Sequence, residues 1–565
     1  MTPTGTDSPS SARQRPSASA STRETLTSLV IAFAMAFIFR GFVLEAFIIP
    51  TGSMAPTLLG AHMKFRSPQT GTDFDVGPWF YFNDQEHLPP LPVQGSPQHP
   101  VIVHDPMSGP PPAPGRSRSG ITSQHVGVPR EAGDRIFVLK YVEPIYRPQR
   151  FDVSVFKNPT QPEENYIKRL LGLPGEQVAL VDGDVFFRDA AQASNADNPW
   201  SGPGWQIARK PRRMQRDLWY TLFDSAHAPH THVAEYRSPW RASSNRSEWT
   251  IGRTRVYRYQ GDAPTAIFWD TENWPIDDYL AYNQTRQLMT RGGAPPRFPV
   301  SDLRMRLGVG FEREGGEVRA KLTARGHEFA ADITQDRARL LMRPEGEPDW
   351  ITLDSAELSS PLRPGRVANI EFWHVDQTLW LFIDGRKVAG GKDRGAYHWN
   401  PSERIAFVTG RRLDDLLADA GNPFTRSVNG RMANYREAQP SWEFSGGPFT
   451  LHRVALDRDL YFRAADYQSS NHSMAGDPAL ATHPANTPTL GPDQFFVAGD
   501  NSAASLDGRL WDEADAWLLD AFPHAGVGVV PREVMIGKAF FVYFPSLQSR
   551  GGVPVPDAGR MRFIR

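Results

Sequence analysis

The chain has 565 residues, room for two to four domains, and its 40% hydrophobic and 22% charged content is that of folded globular material. The formal net charge is −1, which gives no electrostatic reason to expect a nucleic-acid partner. There is no cysteine, which excludes disulfides, Cys-ligated zinc and a thiol nucleophile, while 50 prolines and 47 glycines predict many turns or long irregular segments.

Residues 1–24 are rich in Ser, Thr, Pro and Ala and read as a disordered tail. Residues 25–46 follow as a transmembrane anchor. Thr25 to Phe39 is uncharged, and Arg40 can snorkel to the interface, so the apolar helix extends past it toward the roughly 20 residues that span a bilayer. A secretory signal peptide is the rival reading. The long preceding tail and the poor cleavage site at Ile49-Pro50-Thr51 favour an uncleaved anchor. Arg13, Arg15 and Arg23 put the tail in the cytoplasm by the positive-inside rule, diluted by Arg40 and Lys64 beyond the anchor.

Residues 47–189 read as the first part of a folded domain, interrupted by an irregular Pro/Gly-rich segment over 66–130. Within it, "FRSPQTGTDFDV" looks like half of a zinc ribbon with Ser67 and Thr70 where cysteines would stand, or a plain loop. Strands are predicted around Ile136–Val138 and Val153–Val155. Asn165–Asp189 reads as strand, Leu-Pro-Gly turn, strand, Asp-Gly turn and strand.

Residues 190–492 form a long intervening region. "LRMRLGVGF", "EVRAKLTA" and "LWLFIDGRKVAGG" alternate with period two, and Asp384-Gly385 is a two-residue hairpin turn. This pattern predicts a β-sandwich over about 250–465, similar to concanavalin-like or laminin-G-like jelly rolls. Trp373 and Trp380 could stack on sugar rings, although core packing is the commoner fate of a strand Trp. His227, His230, His232 and Glu235 are spaced for a metal, but a surface loop is the more common outcome of such a motif. "VDGDVFFRD" reads as a hairpin rather than a calcium loop. Residues 493–565 resume the character of the first domain.

The chemistry points to Ser53, in a Gly-Ser-Met turn just past the anchor. A serine hydroxyl needs a base. None of the 15 histidines sits in an evidently assembled setting. A lysine serves only if burial keeps it neutral. Lys168, in "NYIKRLLGLPG", shares a strand face with Tyr166 and Leu170, while Arg169 points the other way and can stay wet. On these residues alone a solvated strand lysine remains the commoner reading.

Four stretches, "IIPTGSMAPTLLG", "RFDVSVFKNP…NYIKRLLGLPGE", "FFVAGDNSAASLDGRLW" and "VPREVMIGKA", resemble in order the boxes of the type I signal peptidase family. The resemblance covers roughly residues 25–65, 131–189 and 493–545. It implies a mainly β fold: an N-terminal membrane helix and a coiled β-sheet catalytic domain, here interrupted by the sandwich. It also implies a membrane-bound endopeptidase that removes signal peptides from exported preproteins through a Ser/Lys dyad and an acyl-enzyme, without a cofactor. Ser53 then matches the nucleophile and Lys168 the general base. Thr51 stands where a hydroxyl supports the oxyanion, Ser505 where a serine hydrogen-bonds the lysine ammonium, and Asp507 and Arg509 where an ion pair braces the site. Gly499, Asp500 and Asn501 match the family's Gly-Asp-Asn.

Two departures stand out. Ser502 replaces the usual Arg, and Gly508 stands within Asp-Gly-Arg where Asp-Ser-Arg is common. The implied partners are signal peptides and the lipid bilayer, with the catalytic part on the extracytoplasmic side of a single-pass cytoplasmic membrane anchor. The sandwich leaves a glycan or protein ligand open. Rival readings are an anchored glycan- or peptide-binding protein with an inert peptidase remnant, and a self-cleaving repressor-like Ser/Lys protease. The second predicts an N-terminal DNA-binding domain where this chain has an apolar anchor.

Overall fold

The structure is a computed structural model. It describes residues 18–78, 101–109, 121–124, 131–141, 146–193, 198–229, 236–243, 246–251, 255–284, 298–418, 435–467, 476–545, 547–550 and 553–565. Much of the predicted irregular segment 66–130, and His230, His232 and Glu235 of the histidine-rich loop, lie outside the described residues.

The fold is mostly β. Among the described residues its one long apolar helix is Ala18–Phe42. The helix thus starts inside the stretch read as a disordered tail, since Ser, Thr and Ala are tolerated once the apolar run propagates helix toward the N-terminus. It also ends earlier than the predicted anchor, because Leu44–Ile48 leaves the helix to pair with Arg135–Lys140, and Glu45 meets Lys140 at 3.1 Å. Thr22–Phe42 is long and apolar enough to cross a membrane, about 31 Å at 1.5 Å per residue. None of that span is buried against the rest of the chain.

The two ends of the sequence build one sheet. Its order is Leu44–Ile48, Arg135–Lys140, Met535–Phe544, Val153–Asn158, Gln161–Gly172, Gln494–Ala498 and Val530–Pro531, with Arg562–Phe563 also pairing with Met535–Phe544. Alternating apolar residues fill its two sides. Ile136, Val138, Val153, Val155, Ala539 and Val542 pack with Met54 and Leu58 of the Ser53 segment, while Phe156, Leu170, Phe495, Val497 and Trp511 form a second cluster. The Asp182-Gly183 hairpin joins Glu176–Val181 to Asp184–Asp189, which in turn pairs with Gln206–Ile207. Asp182 adopts φ 49° and Gly183 φ 86°, the left-handed pair such a turn requires.

The intervening region is a sandwich of two sheets over one aromatic-rich core. One sheet runs Trp249–Thr250, Val256–Tyr259, Phe449–Arg458, Leu303–Phe311, Ala368–Val375, Thr378–Ile383 and Arg386–Gly390, with Tyr220–Asp224 on Phe449–Arg458. The other runs Trp240–Ala242, Thr265–Trp269, Gln439–Ser445, Glu317–Ala324, His327–Ile333, Arg337–Arg343 and Ile351–Glu357. Sandwich strands therefore begin at Tyr220, in a stretch without a clear period. Trp373 is fully buried under Trp219 and Phe382, so it offers no stacking face to a sugar.

Buried ion pairs tie the sandwich to the first domain. Arg325 and Arg404 both donate to Asp182 Oδ2, at 2.6 and 2.9 Å, and Arg404 also reaches Asp184. Asp182 and Asp184 of "VDGDVFFRD" thus face arginines across this junction, while Asp189 accepts the Ala191 N–H of the next turn. In "FRSPQTGTDFDV", Met63–Arg66 pairs with Asp73–Val76, and Ser67 Oγ accepts the N–H groups of Gln69 and Thr70, a hydrogen-bonded turn.

Candidate active site

Ser53 sits in a tight turn held by the chain on both sides. Ala55 N–H donates to Gly52 O at 3.0 Å, Leu58 N–H to Met54 O at 2.9 Å, and Ala61 N–H to Pro50 O at 3.1 Å. Asp134 locks the turn to the sheet: its N–H donates to Leu59 O, and its carboxylate accepts the Leu59 N–H, both at 2.9 Å. Met54, Ala55 and Leu58 are wholly buried, so the turn is anchored by apolar contacts beneath the hydroxyl.

Lys168 approaches from Gln161–Gly172, where it lies opposite Ser154. Its Nζ is 2.9 Å from Ser53 Oγ. The lysine is 4% exposed and the serine 8%. Burial disfavours the charged ammonium and pushes the Lys168 pKa down to about 8; the Asp507 carboxylate opposes the shift and Arg509 adds to it. Nζ also lies 4.9 Å from the Tyr166 ring, as alternation along the strand places it.

Arg169 differs from its expected position. It is fully buried, because its guanidinium closes a two-point pair on Asp500, Nε to Oδ1 at 2.7 Å and Nη2 to Oδ2 at 2.6 Å. Thr57 donates to the same carboxylate at 2.5 Å. An arginine read from strand alternation alone carries no trace of a carboxylate 331 residues away.

Asp500 and Asn501 sit beneath the Ser53 turn. Asn501 N–H donates to Ser53 O at 3.0 Å, and its side-chain amide donates to Gly52 O at 2.9 Å. Asp507 and Arg509 form a fully buried bidentate pair, both contacts 2.8 Å, and Asp507 accepts the Gly499 N–H at 2.9 Å. Burial works against the Asp507 carboxylate, but Arg509 and the Gly499 N–H outweigh it and hold its pKa below the usual range.

Ser505 is buried, and its hydroxyl has no hydrogen-bond partner among the described residues, Lys168 included. The backbone turn through Ser502–Ala504 sets it over Gly499, where an added Cβ would collide with Ser505 Oγ and also lie 2.5 Å from Ser53 O. Thr51, two residues before Ser53, is exposed.

Both departures are accommodated locally. Ser502 Oγ accepts from Arg509 at 2.5 Å and from Arg463 N–H at 2.8 Å. Gly508 has no room for a side chain: a Cβ would lie 2.8 Å from Gly528 O and 2.9 Å from Val497 O. Sequence reasoning also missed the short turn Ala281–Asn283 from the intervening region, which packs against the Ser53 turn.

The split sheet carries a buried hydroxyl–amine pair, and comparison with known proteins finds similarity in both of its halves. The signal peptidase family, peptidase S26, matches residues 124–217 and 452–544, two segments that contain Lys168 and Asp500–Arg509 but not Ser53. The match thus falls in two pieces, about a third of the chain, with the sandwich between them. The curated relatives are type I enzymes. Signal peptidase I of Rickettsia bellii (strain OSU 85-389) is 26% identical over 171 residues, 30% of this chain and 40% of that protein. Signal peptidase I of Pseudomonas aeruginosa is 47% identical over 60 residues, 8% of this chain and 21% of that protein. The chain spans two-fifths or less of the length of these relatives. Among solved structures, the carbohydrate binding module CBM66 from Bacillus subtilis aligns with 39% of this chain and 96% of its own, at 10% identity and a TM-score of 0.21. The description of the sandwich rests on its strand pairing, not on that likeness.

Proposed function

We propose that this protein is a membrane-anchored serine endopeptidase that removes signal peptides from exported preproteins. One observation carries the proposal: the Lys168 amine and the Ser53 hydroxyl, 115 residues apart in sequence, meet at 2.9 Å where burial depresses the lysine pKa. A neutral Lys168 takes the proton from Ser53 as the hydroxyl attacks the scissile carbonyl. The Ser53 N–H and the Thr51 hydroxyl stabilise the oxyanion. The lysine passes its proton to the leaving amine, the mature protein departs, and a water deprotonated by the same lysine hydrolyses the ester.

The substrate docks as an added strand. On the side of Gln161–Gly172 that pairs with Gln494–Ala498, the ladder reaches back only to Arg169. The backbone from Gln161 to Lys168 has no strand partner on that side among the described residues, leaving an edge that leads to the dyad. Small side chains beside the scissile bond are expected from the Ala-x-Ala preference of the family. The Thr22–Phe42 helix holds the site at the bilayer, with the arginine-bearing tail in the cytoplasm and the catalytic domain outside.

The test is cleavage of a signal-peptide-bearing preprotein by the purified full chain. Wild type cuts at the signal-peptide boundary, and Ser53→Ala and Lys168→Ala each lower the rate by at least about a thousandfold. Cleavage that persists in either variant rejects the dyad. No cleavage by wild type favours the inert, ligand-binding reading.

A further inference from the structure

The intervening region reaches into the catalytic centre. Tyr282 lays its ring against Gly52, the residue before the nucleophile, so closely that any side chain there would strike the ring. The Tyr282 hydroxyl donates to Ala61 O at 2.7 Å, at the end of the turn, and its carbonyl accepts the Gly77 N–H at 2.8 Å. Next to it, Asn283 exchanges two amide hydrogen bonds with Asn501: Asn283 Nδ2 donates to Asn501 Oδ1 at 2.7 Å, and Asn501 Nδ2 donates to Asn283 Oδ1 at 2.9 Å. The other hydrogen of Asn501 Nδ2 goes to Gly52 O at 2.9 Å.

The carbonyl of Gly52 and the N–H of Ser53 belong to one planar trans peptide and point in opposite directions. Whatever holds that carbonyl aims that N–H. Among the described residues the Ser53 N–H has no hydrogen-bond partner, as an oxyanion donor requires. The Ala55 N–H and the Asn501 amide share this holding, and Asn501 contributes only with its NH2 group toward Gly52 O. The flipped amide has nearly the same shape but would set two acceptors face to face. Asn283 removes that option by occupying Asn501 Oδ1 with a donor and supplying an acceptor to Asn501 Nδ2.

We infer that Asn283, from the intervening region, is a positioning residue for the oxyanion hole: through Asn501 it fixes the Gly52–Ser53 peptide and so the direction of the Ser53 N–H. The inference rests on the serine-protease reading above. It makes the inserted region a working part of the active site.

The experiment is steady-state cleavage of an Ala-x-Ala-containing signal-peptide substrate by the full chain, as wild type, Asn283→Ala, Asn501→Ala and the double variant. A misaimed oxyanion donor lowers kcat by roughly ten- to a hundredfold, because the bond it makes strengthens only in the transition state. KM stays within about twofold, since the substrate strand docks elsewhere. The double variant is no slower than Asn501→Ala, because Asn283 acts through Asn501. An unchanged kcat, a change confined to KM, or losses that multiply in the double variant overturns the inference. Should Asn283→Ala fail to fold, the near-isosteric Asn283→Asp carries the test: its oxygen would face Asn501 Oδ1, and the same loss in kcat is expected. A wild type that does not cut withdraws the protease reading and this inference with it. An active wild type with an unaffected Asn283→Ala removes the inference alone.

Discussion

Arg169 and Asp500 close a two-point ion pair with no solvent exposure, one residue beyond Lys168 and one residue before Asn501. The pair therefore couples the strand that carries the Lys168 amine to the loop that grips the Ser53 turn. Neither partner touches the Ser53 hydroxyl or the Lys168 amine. Their burial makes the pair a rivet between the two halves of the split domain.

Breaking that pair strands a buried charge. Asp500→Ala or Arg169→Met is expected to cost about 3–5 kcal/mol of stability. The double variant should lose less than the two single losses added together, because neither charge is then left alone. Denaturant unfolding of the three variants checks this, with additive losses as the contrary result.

Lys168 opposes stability below its own pKa. Its folded value of about 8 lies under the ordinary 10.5, so the unfolded chain holds a proton between these values that the folded chain does not. Wild-type stability from this group thus rises as pH climbs from about 8 to 10.5, and below pH 8 the full destabilisation applies. Lys168→Met removes this dependence. The variant should be more stable than wild type by roughly 3 kcal/mol at pH 6.5, with the difference shrinking toward pH 10. Thermal melts of both proteins across that range read the effect. A difference independent of pH would mean that the amine is not desolvated.

Gly508 departs from the family pattern for a steric reason. Gly508→Ser, which restores that pattern, should destabilise the protein by about 1–3 kcal/mol, because two carbonyl oxygens occupy the space its Cβ needs. A melting temperature equal to that of wild type would show that the loop yields.

The mainly β character, the sandwich hairpins and the face occupied by Lys168 were legible in the sequence, because period-two alternation is a local signal. The Ser53–Lys168 pairing rested on the order of four motifs, since no local rule links residues 115 positions apart. The burial of Arg169 and the contacts of Asn283 were not legible at all. Each depends on a partner more than 200 residues distant, and a lone Arg or Asn in a sequence does not announce such a partner. Ser505 was read from a motif match, which carries no information on where the hydroxyl points, and its buried oxygen has no hydrogen-bond partner among the described residues. The early helix end at Phe42 followed from strand pairing with Arg135–Lys140, which hydropathy cannot sense.

The most direct test of the central claim, that an uncharged Lys168 activates Ser53, is the pH dependence of kcat/KM for cleavage of a signal-peptide substrate. This ratio reports the ionisation of the free enzyme. The account predicts a rising limb with its midpoint near pH 8, where burial sets the amine, and a plateau above it. A rate that is flat through pH 8, or that keeps climbing toward the 10.5 of an ordinary lysine, would contradict it.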